Sequence, residues 1–314
     1  LIPLYRNTGL IDESNNPDQD EAAGVGLYRT ELPFMIRDRF PGEDAQLLSY
    51  QRVLKAFAPR PVILRTLDVG GDKPLPYFPV VEQNPFLGWR GVRISLQHPE
   101  IFLTQIRAML RANQGLGNLQ IMLPMISSVT EVDQLLHLIH RAQDELIEEG
   151  LPLTLPPIGV MIEVPSAVYQ VEELARRVDF LSIGSNDLTQ YLLAVDRNNP
   201  RVADLYDDMH PAVLRALKSI VDGAKKHAKP VSVCGELAGN PLATVLLLGM
   251  GITSLSMSTG SILRVKWVLR TFSQSRARQL LSMVLRMEDT AQVRRFMEGV
   301  LDDMGLGGLF RPGK

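Results

Sequence analysis

Residues 157–163 read Pro-Ile-Gly-Val-Met-Ile-Glu, and residues 179–187 read Asp-Phe-Leu-Ser-Ile-Gly-Ser-Asn-Asp. Each is a short run rich in apolar and β-branched residues, the signature of a strand covered on both faces. Each also breaks into polar groups at its carboxyl end, Glu163 in the first and Asn186 with Asp187 in the second. Strands of this kind alternating with long amphipathic segments imply a parallel sheet wrapped by helices, not separate α and β regions.

Working outward, eight such runs are expected, at Ile2–Tyr5, Gly26–Arg29, Pro61–Thr66, Leu119–Pro124, Pro157–Glu163, Asp179–Ile183, Pro230–Cys234 and Ser254–Met257. Helical apolar spacing fills the gaps at Ala45–Phe57, Glu100–Arg111, Val129–Glu149, Ala212–Lys226 and Leu242–Leu248. It continues from Ser261 to Leu285 and from Thr290 to Met304. Eight is the number that closes a barrel, so the expected fold is α/β, a single (β/α)8 TIM-type barrel, with residues 1–314 as one domain. Residues 8–23, which include the acidic IDESNNPDQDE (11–21), read as a loop, and Pro74–Gly88 as a long irregular excursion after the third strand.

Composition narrows the function. With 45% hydrophobic residues there is material for a large core, and 33 Lys plus Arg against 35 Asp plus Glu give no surplus to attract nucleic acid or an anionic membrane surface. No apolar run reaches the roughly 18 residues of a membrane helix, and the N-terminus lacks a basic segment leading into an apolar one. Cys234 is the only cysteine, so no intrachain disulfide forms. A reducing, cytoplasmic location is the expectation.

In such a barrel the reactive groups stand at the carboxyl ends of the strands. Arg29, Arg65, Glu163, Asn186 with Asp187, and Cys234 all fall there. Arg29 and Arg65 would aim two guanidinium forks into one cavity, suited to phosphate or carboxylate oxygens. The competing reading for either arginine is an ion pair with its neighbour, Glu31 or Asp68. Gly70-Gly71-Asp72-Lys73 reads as a turn or as a phosphate nest beside a lysine.

Glu163 and Asp187, on neighbouring strands, form the pair of carboxylates with which proteins commonly hold Mg²⁺. The arginines favour that reading over a general acid/base pair, because they imply a charged substrate that shares the cation. Asn186 and Asp187 are placed to open a helix whose first N–H groups would face an anion. By spacing alone Arg197 is a surface arginine, and the alternative is a carboxylate clamp folded back onto the site. Cys234 should point to the rim and not the barrel centre, either as inert packing or as a proton donor to a carbanion. The five histidines show no metal-ligand spacing, and His137 and His140 read as solvated helix positions.

Taken together, GVGLYRTELPFM (24–35), ILRTLDVGGDK (63–73), NPFLGWRGVRI (84–94), GVMIEVPSA (159–167), LSIGSNDLTQYLLAVDR (181–197) and VCGELAG (233–239) resemble the phosphoenolpyruvate (PEP)-binding domain of Enzyme I. Enzyme I is the PEP-protein phosphotransferase of the bacterial phosphotransferase system, and Tyr28 with the Pro33 loop inclines the likeness toward its nitrogen-related paralogue. The resemblance implies that Arg29 and Arg65 hold the PEP phosphate, with Lys73 and Arg90 as further contacts. It places the PEP carboxylate at Arg197 and the Asn186-Asp187 turn, Mg²⁺ at Glu163 and Asp187, and Cys234 as the proton donor that yields pyruvate.

The same resemblance implies a homodimer, an acceptor histidine on a separate N-terminal domain, and a downstream HPr-type phosphocarrier. This chain is then a C-terminal fragment that binds PEP without turning over alone. Asn7 is expected at the rim end of the first strand. Two alternatives are the PEP-binding barrel of a pyruvate phosphate dikinase or PEP synthase, and a non-catalytic PEP-sensing dimerisation module.

Overall fold

A computed structural model describes residues 2–9 and 21–310. Residues 10–20, most of the expected 8–23 loop, lie outside the described residues. Eight parallel strands close in sequence order into a barrel: β1 (Leu4–Thr8), β2 (Val25–Arg29), β3 (Val62–Arg65), β4 (Leu119–Leu123), β5 (Ile158–Ile162), β6 (Phe180–Ile183), β7 (Val231–Val233) and β8 (Ser254–Met257). The seam pairs Leu4 with Leu255, Tyr5 with Ser256 and Arg6 with Met257.

Strand alternation separates two cores. Outward residues such as Ile158, Val160 and Ile162 join the main core under the helices, while Leu27, Ile63, Met122, Met161, Phe180 and Cys234 form a small layer inside the barrel. Gly159 pairs in register with Phe180, and a Cβ on it would stand 2.3 Å from that ring. The missing side chain therefore makes room for the one aromatic residue of the layer.

The helices follow the expected apolar spacing, with Val129–Glu148 as the clearest case. Ser128 accepts from the Glu131 N–H while the Glu131 carboxylate accepts from the Ser128 N–H. This capping box contributes about 1 kcal/mol and sets where the helix starts. His137 and His140 lie on its exposed face, as expected.

Two boundaries differ from the sequence expectation. The first strand is Leu4–Thr8, not Ile2–Tyr5, because Asn7 and Thr8 continue it to the rim although the apolar pattern ends at Tyr5. The stretch expected as one helix from Ser261 to Leu285 is two, Thr259–Thr271 and Gln274–Val284. Ser273 opens the second by accepting from the Arg276 N–H. Among the described residues no helix is long and apolar enough to cross a membrane.

Candidate active site at the strand ends

The carboxyl ends of the strands surround a cavity of about 260 Å³ lined by Arg29, Glu31, Arg65, Lys73, Glu163, Asn186, Asp187, Arg197 and Cys234, among others. Every residue singled out at a strand end, and Arg197 from beyond β6, therefore meets in one place. A second chamber of about 490 Å³ adjoins it on the β7–β8–β1 side, sharing Arg29, Asn186, Cys234 and Gly235. Asn7 lines that chamber, as expected, and donates to the Cys234 carbonyl at 2.9 Å. A larger groove of about 680 Å³ lies at the opposite end, by the start of β7 and the exposed Lys225 and Arg278. None of the strand-end groups reaches it.

Arg65 is buried and makes the ion pairs that were the competing reading, Nη2 to Glu31 at 2.5 Å and Nη1 to Asp68 at 3.3 Å. Lys73 bridges the same two carboxylates, at 3.0 Å to Glu31 and 2.8 Å to Asp68. Arg29 is exposed at the end of β2 and has no ion-pair partner among the described residues. Of these three cations, Arg65 and Lys73 are engaged with carboxylates and Arg29 is ready for an incoming anion.

Arg90 corrects an expectation. It does not line the cavity but lies buried against it, bonded to Asp68 at 3.1 and 3.2 Å and to Asp187 at 3.0 and 3.1 Å. Asp187 also accepts from Arg197 at 3.3 Å. Burial works against both aspartates, but the cations beside them, Lys73, Arg90 and Arg65 at Asp68 and Arg90 with Arg197 at Asp187, hold both below the usual carboxylate range. Both are anions at neutral pH.

Glu163 is the opposite case. It is fully buried, and burial together with Asp187 and Asp68 nearby lifts it to about 8. Its Oε1 accepts from the Met125 N–H at 2.6 Å, whereas Oε2 has no partner. Oε2 faces Gly184, where a Cβ would stand 2.7 Å away. A buried carboxylate oxygen without a partner, beside Asp187 and in a notch kept open by glycine, fits a divalent cation. Among the described residues no group of three or more His, Cys, Asp and Glu side chains is arranged to hold a metal. Such an ion would need substrate oxygens and water to complete its shell, which is normal for Mg²⁺.

The helix Ser185–Leu193 begins where expected, after Gly184. Asn186 accepts from the Glu236 N–H at 2.9 Å, tying the turn to the end of β7. Arg197 does fold back, guided by Gln190, whose Oε1 accepts from the Arg197 backbone N–H at 3.1 Å. Sequence reasoning missed Gln190, although its place in the same helix as Asp187 was a usable signal.

One further expectation changes, and for the Gly70–Lys73 segment the turn, one of its two readings, is what forms. Cys234 lines the cavity floor but belongs to the layer inside the barrel, because it stands two residues after Ser232 on the inward side of β7. Burial pushes its thiol up to about 11. The Gly70–Lys73 segment is a closed turn, with Gly70 N–H donating to Lys73 O and Lys73 N–H to Gly70 O, both at 3.1 Å. Those N–H groups are spent, so the segment delivers Lys73 and is not a nest built from them.

The family model described as PEP-utilising enzyme, PEP-binding domain matches residues 2–274. A Salmonella typhimurium protein named phosphoenolpyruvate-dependent phosphotransferase system is 50% identical over 99% of this chain and 42% of its own length. A phosphoenolpyruvate-protein phosphotransferase of Haemophilus influenzae is 43% identical over 96% of this chain and 52% of its own length. The chain spans about half or less of these relatives. Among solved structures, a malate synthase of Haloferax volcanii superposes with a TM-score of 0.54 at 12% identity, covering 99% of this chain and 89% of that one, which is a likeness of fold alone.

Proposed function

The chain belongs to the PEP-utilising enzymes, through their PEP-binding domain, and from that membership we propose that it is the donor half of a PEP-protein phosphotransferase. In this reading it binds PEP with Mg²⁺ and passes the phosphoryl group to a histidine on a domain outside this chain, with release of pyruvate. The observation that carries it is the meeting of Arg29, Arg65 and Lys73 with Glu163 and Asp187 in one strand-end cavity floored by Cys234.

The phosphate enters at Arg29, and Arg65 and Lys73 turn from Glu31 and Asp68 toward its oxygens. The exchange of ion pairs is made on binding, so the cations already face the phosphate as charge develops. Arg197 and the first turn of the helix Ser185–Leu193 take the PEP carboxylate. Glu163 Oε2 and Asp187 would hold Mg²⁺, which would supply positive charge to neutralise the anionic substrate. After transfer, the Cys234 thiol gives its proton to C3 of the enolate and leaves a thiolate.

The same reading carries a homodimer, a cytoplasmic location and a downstream HPr-type phosphocarrier. Calorimetry of this chain with PEP and Mg²⁺ tests it. Binding that is lost in Arg65→Ala is expected, and the reading fails if PEP does not bind or if the variant binds equally well. In the full-length protein, solvent deuterium should enter the pyruvate methyl group, at a rate sharply reduced in Cys234→Ala.

A further inference from the structure

Beneath the cavity the barrel interior carries hydroxyl groups that the proposed reaction has not used. Ser182 on β6 and Ser232 on β7 are register partners across the barrel wall, and both side chains point inward. The Ser232 hydroxyl donates to the Ser182 oxygen at 2.8 Å. Ser182 is fully buried, and its accepting side is taken by that bond, so its own O–H is free to donate. Cys234 is the next inward residue on β7 after Ser232, and its thiol donates to the Ile183 carbonyl at 3.5 Å. Ser182 and Cys234 are thus neighbouring inward positions on adjacent strands, and the Ser182 hydroxyl favours the thiolate against the larger effect of burial.

We propose that Ser182, polarised by Ser232, is the positioning residue that holds the Cys234 sulfur and stabilises it as a thiolate. The inference rests on the reading of Cys234 as proton donor. In that step the S–H bond breaks, its proton bonds to C3 using the C2–C3 π pair, and the enolate oxygen closes to the ketone. The negative charge ends on sulfur, inside a layer formed by Leu27, Ile63, Met122, Met161 and Phe180. An isolated charge there is costly unless a donor meets it. Arg65 and Arg29 also favour the thiolate, while Glu163 opposes it. Ser182 supplies an O–H from below, away from the substrate, so the sulfur keeps its upper side for C3.

The lone cysteine makes a direct test clean, because the S–H stretching band in Raman spectra reports one group and needs no reagent to reach it. Followed against pH in this chain, loss of the band should move up by about one pH unit in Ser182→Ala, the size expected for a lost hydrogen bond to a charged group. Ser232→Ala should move it in the same direction by less, and Ser182→Thr, which keeps a hydroxyl, should restore it. In the full-length protein, deuterium delivery to pyruvate should fall in Ser182→Ala and recover in Ser182→Thr. An unchanged S–H midpoint in a Ser182→Ala variant with native circular dichroism overturns the proposal. If the midpoint moves but Cys234→Ala still delivers deuterium at the normal rate, the fault lies with Cys234 as donor, and the hold of Ser182 on the sulfur stands.

Discussion

The guanidinium of Arg90 meets the carboxylate of Asp187 in two parallel hydrogen bonds, Nη1 to Oδ1 at 3.0 Å and Nη2 to Oδ2 at 3.1 Å. Its remaining edge is taken by Asp68, and it is 1% exposed. Arg90 thus joins the end of β3 to the helix after β6 and fixes the direction in which Asp187 faces the cavity. Removing it would strip both buried carboxylates of their forked partner, leaving Asp68 to Lys73 and Arg65 and Asp187 to Arg197, a loss of about 3–5 kcal/mol. Arg90→Ala is therefore expected to lower the urea midpoint strongly, and Arg90→Lys, which keeps a charge but not the fork, to recover only part. A midpoint within error of wild type for Arg90→Ala would mean that this cross-link is not structural.

Glu163 gives a pH dependence of definite sign. Its folded value of about 8 stands above the ordinary glutamate value of 4.5, so between those values the unfolded chain gives up the proton that the folded chain keeps. Stability from this group is full below the lower value and is lost as pH rises through the upper one. Glu163→Gln cannot lose that proton. Its melting temperature should match wild type near pH 4.5 and exceed it by roughly 2–6 °C near pH 8, while PEP and Mg²⁺ binding collapses. A difference that does not grow with pH would place the Glu163 carboxyl in a less buried setting.

These two residues mark the limits of sequence reading. Glu163 was legible because a run of covered apolar residues ends in a carboxylate, and local spacing carries that information. The bond between Arg90 and Asp187 spans 97 residues and exists only because the barrel brings β3 and β6 to a common rim. Asn7 lay past the end of its strand's apolar pattern, and rim residues are polar for the site they serve. Cys234 was placed at the right height but on the wrong side, since assigning it inward requires the register of β7 against β6. Gly184 reads as a turn residue, and its reason, space for Glu163 Oε2, belongs to the neighbouring strand.

Arg29 and Arg65 should separate binding from stability. Arg29 is exposed and unpaired among the described residues, so Arg29→Ala should weaken PEP binding about 10- to 100-fold in calorimetry and leave the melting temperature nearly unchanged. Arg65→Ala should lose binding and also melt earlier, because Glu31 and Asp68 keep only Lys73 and Arg90 as partners. Equal melting losses for both variants would contradict the division between an engaged and a waiting arginine. The wild-type affinity should also fall as salt rises, the mark of a charged ligand in an accessible pocket.

Gln190 offers the narrowest test, because its role is to place another side chain. It is buried, and its Oε1 accepts from the Arg197 backbone N–H at 3.1 Å and from Nη1 at 3.5 Å. The second bond is at the limit of hydrogen-bond length, so the backbone bond carries the positioning. Gln190→Ala leaves Arg197 only its 3.3 Å contact to Asp187, which competes with the proposed role of that carboxylate toward Mg²⁺. The arginine then loses its fixed approach to the PEP carboxylate. The expected result is PEP binding weaker by roughly fivefold to tenfold, the worth of one hydrogen bond, with inorganic phosphate binding unchanged because phosphate does not reach Arg197. Gln190→Glu keeps an acceptor and should lose less. If PEP and phosphate weaken together in Gln190→Ala, the variant has disturbed the whole rim, and Arg197 is not the carboxylate clamp.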